Sequence, residues 1–102
     1  MPRRSPREYR DPFDPFHPIA ATLDLHGMGA EEARRVAEGF LRTWSRRGEG
    51  LVVHIITGRG RGSAGRPVLP GVVRRLLTGE CAPLVERWEK HVDEGGVLVK
   101  LR

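Results

Sequence analysis

Six of the seven residues from Leu51 to Thr57 are apolar or β-branched. Such side chains at consecutive positions are typical of a strand that is covered on both faces. The run stops at Gly58, where glycine and arginine begin to alternate as far as Gly62. The pattern therefore predicts a buried strand that opens directly into a glycine-rich loop.

An earlier segment has a different period. Apolar and polar residues alternate from Ala21 to His26, which is the pattern of a strand with one buried face. If the apolar side chains face the core, Asp24 and His26 lie on the opposite face at the C-terminal end of this strand. Gly27 and Gly29 follow and break it.

Two segments have the period of amphipathic helices. The first spans 30–47, with acids in its first turn, arginines in its last and Gly48 as its stop. The second spans 69–77 and carries Pro70 in its first turn, where proline is tolerated. The buried stripe predicted for the first helix consists of Ala33, Val36, Ala37, Phe40, Leu41 and Trp44.

The C-terminal segment predicts a hairpin. Strand patterns at 84–91 and 97–101 are separated by the turn residues 93–96. The predicted order is β-α-β-α-β-β. Strands joined through helices pair in parallel, whereas hairpin strands pair antiparallel. We therefore expect an α/β two-layer sandwich in which two helices pack on a small mixed sheet.

The N-terminal segment has the composition of an arm. Residues 1–19 contain five of the eight prolines and four arginines. Prolines at this density oppose helices and central strands, so the segment is interpreted as an extended arm that is flexible, with an arm draped on the domain through Phe13 or Phe16 as the alternative. The folded domain is accordingly placed at residues 20–102.

Composition narrows the class of protein. A chain of 102 residues has room for one domain with a modest core. The net charge of +5 and pI of about 10.6 favour a polyanionic partner such as nucleic acid. Cys81 is the single cysteine, which excludes an internal disulfide and a cysteine-built zinc site. Neither a membrane span nor a signal peptide is indicated, so a cytoplasmic location is expected; the oligomeric state is left open.

The charge is concentrated around the glycine-rich loop. Five arginines and no acid lie between Gly50 and Gly79. Glycine allows close approach of backbone N–H groups to a ligand, and arginine supplies fixed positive charge. The loop is thus interpreted as a phosphate site, with a merely flexible surface loop as the alternative. Residues 60–65 also match G-x-G-x-x-G, but the helix of a dinucleotide site would begin inside that motif, and no lysine follows to form a P-loop.

The two strand ends are expected to meet. In open α/β sheets, ligands bind beyond the carboxyl ends of parallel strands. Asp24 and His26 end the first strand and Thr57 ends the second, which brings an acid, an imidazole and the loop together. The carboxylate can orient His26 and raise its basicity, or the pair can share a divalent cation. His54, inside an apolar strand, is interpreted as a core histidine.

Three segments at this spacing carry a family resemblance. They are residues 23–27 (Leu-Asp-Leu-His-Gly), residues 56–60 (Ile-Thr-Gly-Arg-Gly) and the closing strand 96–101. Together with the intervening amphipathic helix they resemble the Smr (small MutS-related) domain over about residues 20–102. The resemblance implies a compact α/β sandwich similar to the C-terminal domain of a bacterial initiation factor. It also implies nucleic-acid binding and, in several members, endonuclease activity on DNA or RNA.

The resemblance assigns functional roles to individual residues. Asp24, His26 and Arg59 are the expected catalytic residues of a phosphodiester-cleaving endonuclease. Magnesium or manganese dependence is left open, and Asp24 and His26 would be the ligands of such a cation. The alternative is a non-catalytic module that only grips nucleic acid through the same loop. The resemblance implies phosphate contacts from Thr57, Gly58 and Gly60. The charge and glycine pattern of the chain adds Arg61, Gly62, Arg66 and Lys100 as expected nucleic-acid contacts.

Overall fold

The domain has two layers, with two helices packed on one face of a four-stranded sheet. The computed structural model describes residues 15, 16, 18–58, 68–91 and 95–102. The predicted α/β architecture and the order of its elements are confirmed. In chain order these are β1 Ile19–Asp24, α1 Ala30–Ser45, β2 Val52–Ile56, α2 Leu69–Thr78, the 3-10 turn Ala82–Leu84, β3 Val85–His91 and β4 Gly96–Leu101.

The sheet is mixed, and its order is β1-β2-β4-β3. Strand β2 pairs in parallel with β1 and antiparallel with β4, so it lies inside the sheet as its apolar run predicts. Asp24 is opposite Ile56 in the first pairing, and Ile56 is opposite Gly96 in the second. One edge of the sheet, here called the motif edge, therefore contains the ends of β1 and β2 and the beginning of β4.

The main core lies between the helices and the sheet. Helix α1 buries Ala33, Ala37 and Leu41, which recur every four residues and so share one face. The predicted stripe is confirmed, since Val36, Phe40 and Trp44 are partly buried and pack against the same core. The Arg47 guanidinium lies 4.7 Å from the centre of the Trp44 ring. Helix α2 and the sheet complete this core with Leu69, Val73, Leu76, Leu77, Leu25, Val53, Ile55, Val97, Val99 and Leu101.

A smaller cluster lies on the other face of the sheet. Phe16 is 5% exposed and packs with Val52 and Leu98. Ordered packing thus begins earlier than the predicted boundary at residue 20, since Phe16 is buried and β1 starts at Ile19. Residues 1–14 lie outside the described residues, so the flexible arm stays a prediction.

His54 is fully buried on this second face, in agreement with its interpretation as a core histidine. Its ring makes an edge-to-face contact with His91, and the two ring centres are 5.1 Å apart. Nothing in the sequence pattern indicated this pair, because it depends on how β3 and β4 align with β2. Separately, no helix within the described ranges is long and apolar enough to cross a membrane.

Candidate nucleic-acid site at the motif edge

The two sequence motifs meet at the motif edge. The Leu25 amide donates to the Ile56 carbonyl at 2.7 Å, which extends the β1–β2 pairing one residue beyond β1. This contact sets His26 beside Gly58, where a Cβ added to the glycine would lie 3.4 Å from the His26 Cβ. The sequence-based expectation that the two strand ends meet is confirmed.

Asp24 and His26 form a hydrogen-bonded dyad. The carboxylate Oδ1 of Asp24 lies 2.8 Å from Nδ1 of His26 and also accepts the His26 backbone N–H at 3.0 Å. A carboxylate only accepts, so Nδ1 carries the proton of this contact. In a neutral imidazole the other nitrogen, Nε2, then holds the free lone pair. The dyad therefore presents Nε2 as its proton-accepting atom.

The same contacts determine the charge of the carboxyl group. The hydrogen bond from the His26 backbone N–H, followed by that from its side chain, lowers the pKa of Asp24 below its ordinary value of 3.8. Both bonds favour the ionised form, and the slight burial of the group opposes them only weakly. Asp24 is consequently a carboxylate at neutral pH.

The dyad is open to solvent. The side chain of His26 is 73% exposed and that of Asp24 is 49% exposed. Gly27, directly after the histidine, has a φ of +84°, a conformation that residues with a Cβ rarely adopt. The turn is closed by the Met28 amide, which donates to the Leu25 carbonyl at 3.1 Å. A large ligand can therefore approach His26 without any rearrangement of the core.

Thr57 also lies at the motif edge, but it is buried, whereas the dyad is exposed. It is 7% exposed, and both its amide and its hydroxyl donate to the Gly95 carbonyl, each at 2.8 Å. The next residue, Gly58, turns away from the strand with a φ of +89°. The Thr57 hydroxyl is thus bonded within the protein, whereas the sequence suggested it as a phosphate contact.

The remaining predicted site residues divide into two groups. Lys100 pairs with Val52, four residues along the strands from the Ile56–Gly96 pair, or about 13 Å from the motif edge. Its Nζ lies 4.0 Å from Glu86, so the structure does not bring it to the dyad. The loop residues Arg59, Gly60, Arg61, Gly62 and Arg66 lie outside the described residues, and their roles stay predictions.

Each helix follows one of the two strand ends in the chain. Helix α1 starts at Ala30, four residues after His26, and α2 starts at Leu69 after the loop that leaves β2. Helix N-termini carry partial positive charge and unpaired N–H groups, which favour anions. The first turn of α1 contains Glu31 and Glu32, whereas that of α2 contains no acid. Of the two, the α2 terminus is the more favourable for a phosphate.

The donor set for a metal ion is small. Within the described ranges, no three or more His, Cys, Asp or Glu side chains lie close enough to hold a metal together. Among the described residues that end β1 and β2, the dyad alone offers a carboxylate or an imidazole. Its Asp24 Oδ1 already accepts two hydrogen bonds, both from His26.

The fold is that of a small α/β domain with two helices on a four-stranded mixed sheet, and the two sequence motifs meet at the carboxyl ends of its parallel strands. The profile of the Smr domain matches residues 23–102, so the chain belongs to the Smr domain family, a family of nucleic-acid-binding domains that includes some nucleases. The chain is also similar to a structure described as "Solution structure of the B3BP Smr domain". The two are 26% identical with a TM-score of 0.61, and the match covers 79% of this chain and 77% of the other. A search of curated proteins gave no match.

Proposed function

We propose that this Smr domain is an endonuclease that cleaves phosphodiester bonds in RNA or DNA, with RNA or single-stranded DNA favoured. The observation that carries the proposal is the Asp24–His26 dyad, whose Nδ1–Oδ1 distance is 2.8 Å, beside the glycine that opens the loop. A carboxylate that orients an imidazole is a standard arrangement for moving a proton during catalysis. Its exposed Nε2 suits a polymeric substrate that lies across the surface.

The chemistry follows from the position of Nε2. On RNA, His26 takes the proton of the 2′-hydroxyl, and the resulting oxygen attacks the adjacent phosphorus. The O2′–P bond forms while the P–O5′ bond breaks, and the leaving oxygen takes a proton from water. Arg59 and Arg61, with the loop N–H groups, hold the phosphate oxygens and stabilise their charge in the transition state. On DNA, which lacks the 2′-hydroxyl, water must attack instead, and this reaction is harder without a metal.

A divalent cation has a limited place in this proposal. Magnesium or manganese bound by Asp24 and His26 would supply Lewis-acid chemistry, but these two side chains fill only a small part of its coordination shell. Binding would also replace the hydrogen bonds that orient the imidazole. The proton transfer described here uses only residues of this chain.

The decisive experiment compares turnover by the wild type with that of variants purified in parallel. His26→Ala and Asp24→Asn are each expected to lower kcat by about 10² or more, as for a lost general base or its orienting partner. Both side chains are exposed, so the melting temperature should stay within a few degrees of wild type. Glu49→Gln is the matched control, because Glu49 lies in the exposed turn between α1 and β2, away from the motif edge.

The double variant sharpens the interpretation. Residues that act as a unit are not additive, so His26→Ala combined with Asp24→Asn should cost little more than either change alone. Cleavage that survives His26→Ala but disappears with a chelator would contradict the imidazole as the base. It would favour a metal-bound water held partly by Asp24.

The alternative function is a binding module without catalysis. The observation that favours it is the exposure of the dyad, since electrostatic catalysis is strongest where water is excluded. In that case Asp24 and His26 shape the turn, and the loop binds phosphates only. Pure wild-type protein that binds nucleic acid but cuts neither RNA nor DNA, with or without magnesium or manganese, would establish this alternative.

A further inference from the structure

We infer that Thr57 is a positioning residue that fixes the phosphate loop to the β3–β4 turn, and that its hydroxyl does not bind phosphate. The inference rests on the proposed function, because it concerns how the loop is held beside His26. It identifies the Gly95 carbonyl, directly before β4, as a part of the site that does not itself contact substrate.

The Thr57 hydroxyl has a single proton, and the protein already uses it. A threonine hydroxyl has one proton to donate, and phosphate oxygens in a nucleic acid backbone only accept. The Thr57 hydroxyl donates its proton to the Gly95 carbonyl at 2.8 Å, so none is left for a phosphate. Its side chain is also buried, with the whole residue 7% exposed. Binding a phosphate would require breaking a buried hydrogen bond and leaving one lone pair of the Gly95 carbonyl unused.

The acceptor of both Thr57 bonds is the Gly95 carbonyl, which is held in place by the sheet. The Gly95 carbonyl receives both the amide and the hydroxyl of Thr57, so two bonds join the end of β2 to the turn. The following residue, Gly96, starts β4 so close to β2 that an added Cβ would collide with the Ile55 carbonyl oxygen and lie 2.9 Å from the Ile56 Cα. This close backbone approach holds the acceptor firmly against β2. The turn therefore acts as an anchor for the first residue of the loop.

The Thr57–Gly95 contact also sets where the loop begins relative to His26. Thr57 is followed by Gly58, which changes the chain direction at a φ of +89° beside the Cβ of His26. Any rotation of Thr57 moves the origin of the loop relative to the imidazole. Displacement of a reacting group by about 1 Å can cost up to 10²-fold in rate. The hydroxyl thus affects the rate of cleavage through geometry and not through affinity.

The test removes or retains only the hydroxyl. Thr57→Val keeps the shape of the side chain without the donor, and Thr57→Ser keeps the donor. Thr78→Val is the matched control, because the Thr78 hydroxyl also donates to a backbone carbonyl, that of Arg74 at 2.9 Å, but at the exposed end of α2. Cleavage of an RNA oligonucleotide gives kcat and KM, and hydrogen exchange reports the backbone amide at position 57.

Positioning predicts a specific pattern. Thr57→Val should lower kcat about tenfold or more with KM within about threefold of wild type, because the loop is displaced while its phosphate contacts persist. Its amide at position 57 should exchange about tenfold faster, since one of the two bonds that close this contact is gone. Thr57→Ser should restore both values, and Thr78→Val should change neither.

Two results would overturn the inference. A raised KM with unchanged kcat in Thr57→Val would identify the hydroxyl as a phosphate contact, and unchanged exchange at position 57 would show that it anchors nothing. Failure of the proposed function looks different, because the wild type would then cleave nothing while exchange at position 57 still reports the anchor.

Discussion

At the scale of the residue, the direction in which the pKa of Asp24 is shifted determines the pH range in which the Asp24–His26 hydrogen bonds form. Its pKa is lowered first by the His26 backbone N–H and next by the imidazole. A lowered carboxyl pKa means that the contribution of these bonds is complete above the ordinary value of 3.8 and is lost as the pH falls below it. Between pH 5 and 8 Asp24 therefore stays ionised.

Because the backbone N–H of His26 lowers the pKa of Asp24 more than the imidazole does, the two contributions can be separated by mutation. A carbon-13 NMR titration of Asp24 is expected to give a midpoint below 3.8 in the wild type. In His26→Ala the midpoint should rise only part of the way back, because the backbone N–H at position 26 remains. Full return to the ordinary value would contradict the leading role of the backbone bond. No change at all would contradict the contact between the imidazole and the carboxylate.

At the scale of the element, the close approach of β2 and β4 makes Gly96 a structural requirement. An added Cβ would meet the backbone of Ile55 and Ile56, and neither can move without disturbing the centre of the sheet. Gly39 provides the contrast. It lies on the exposed side of α1, and a Cβ there would have no neighbour within 4 Å.

The two glycines should therefore respond in opposite directions to alanine. Gly96→Ala is expected to lower the free energy of unfolding by about 1–3 kcal/mol through overpacking and displaced backbone. Gly39→Ala should raise it by about 0.5–1 kcal/mol, because alanine is the better helix former. Urea unfolding followed by circular dichroism measures both. A neutral Gly96→Ala would mean that β2 and β4 can separate, which would also weaken the anchor proposed for Thr57.

Elements with a regular period were predictable from the sequence, and contacts between elements were not. The four-residue spacing of Ala33, Ala37 and Leu41 was enough to predict α1, and the apolar run was enough to predict β2. By contrast, the sequence does not specify which strand β4 joins. Its antiparallel pairing with β2 puts Gly95 at the motif edge and Lys100 at the far end. The Gly95 acceptor was missed and Lys100 was assigned to the site for this same reason.

At the scale of the whole molecule, the positive charge is distributed in two ways. Some arginines on the helices are already paired with carboxylates. Arg34 contacts Glu31, Glu38 and Glu80, and Arg42 also contacts Glu38. An arginine paired with a carboxylate attracts a phosphate less strongly than an unpaired one. The segment from Gly50 to Gly79, by contrast, contains five arginines and no acidic residue. The excess of positive charge therefore falls on this segment.

Nucleic-acid binding should therefore depend on salt through the loop. Each phosphate neutralised on duplex DNA contributes about −0.9 to the slope of log affinity against log salt, so about four to six contacts give roughly −3 to −5. Sequence preference should be slight, because contacts to phosphates do not discriminate between bases. Arg59→Ala combined with Arg61→Ala should make the slope less steep by about 2, as expected for two lost contacts.

Lys100→Ala is the control for this charge reduction, since Lys100 lies at the far end of β4 with Glu86 beside it. Removing one positive charge there should leave the slope within about 0.5 of wild type, less than the loss of one full contact. Fluorescence anisotropy of a labelled duplex at several salt concentrations measures all three proteins. A change of slope of about 0.9 in Lys100→Ala, as for one lost contact, would mean that the nucleic acid crosses the whole sheet. An unchanged slope in the double arginine variant would place the binding surface away from the motif edge altogether.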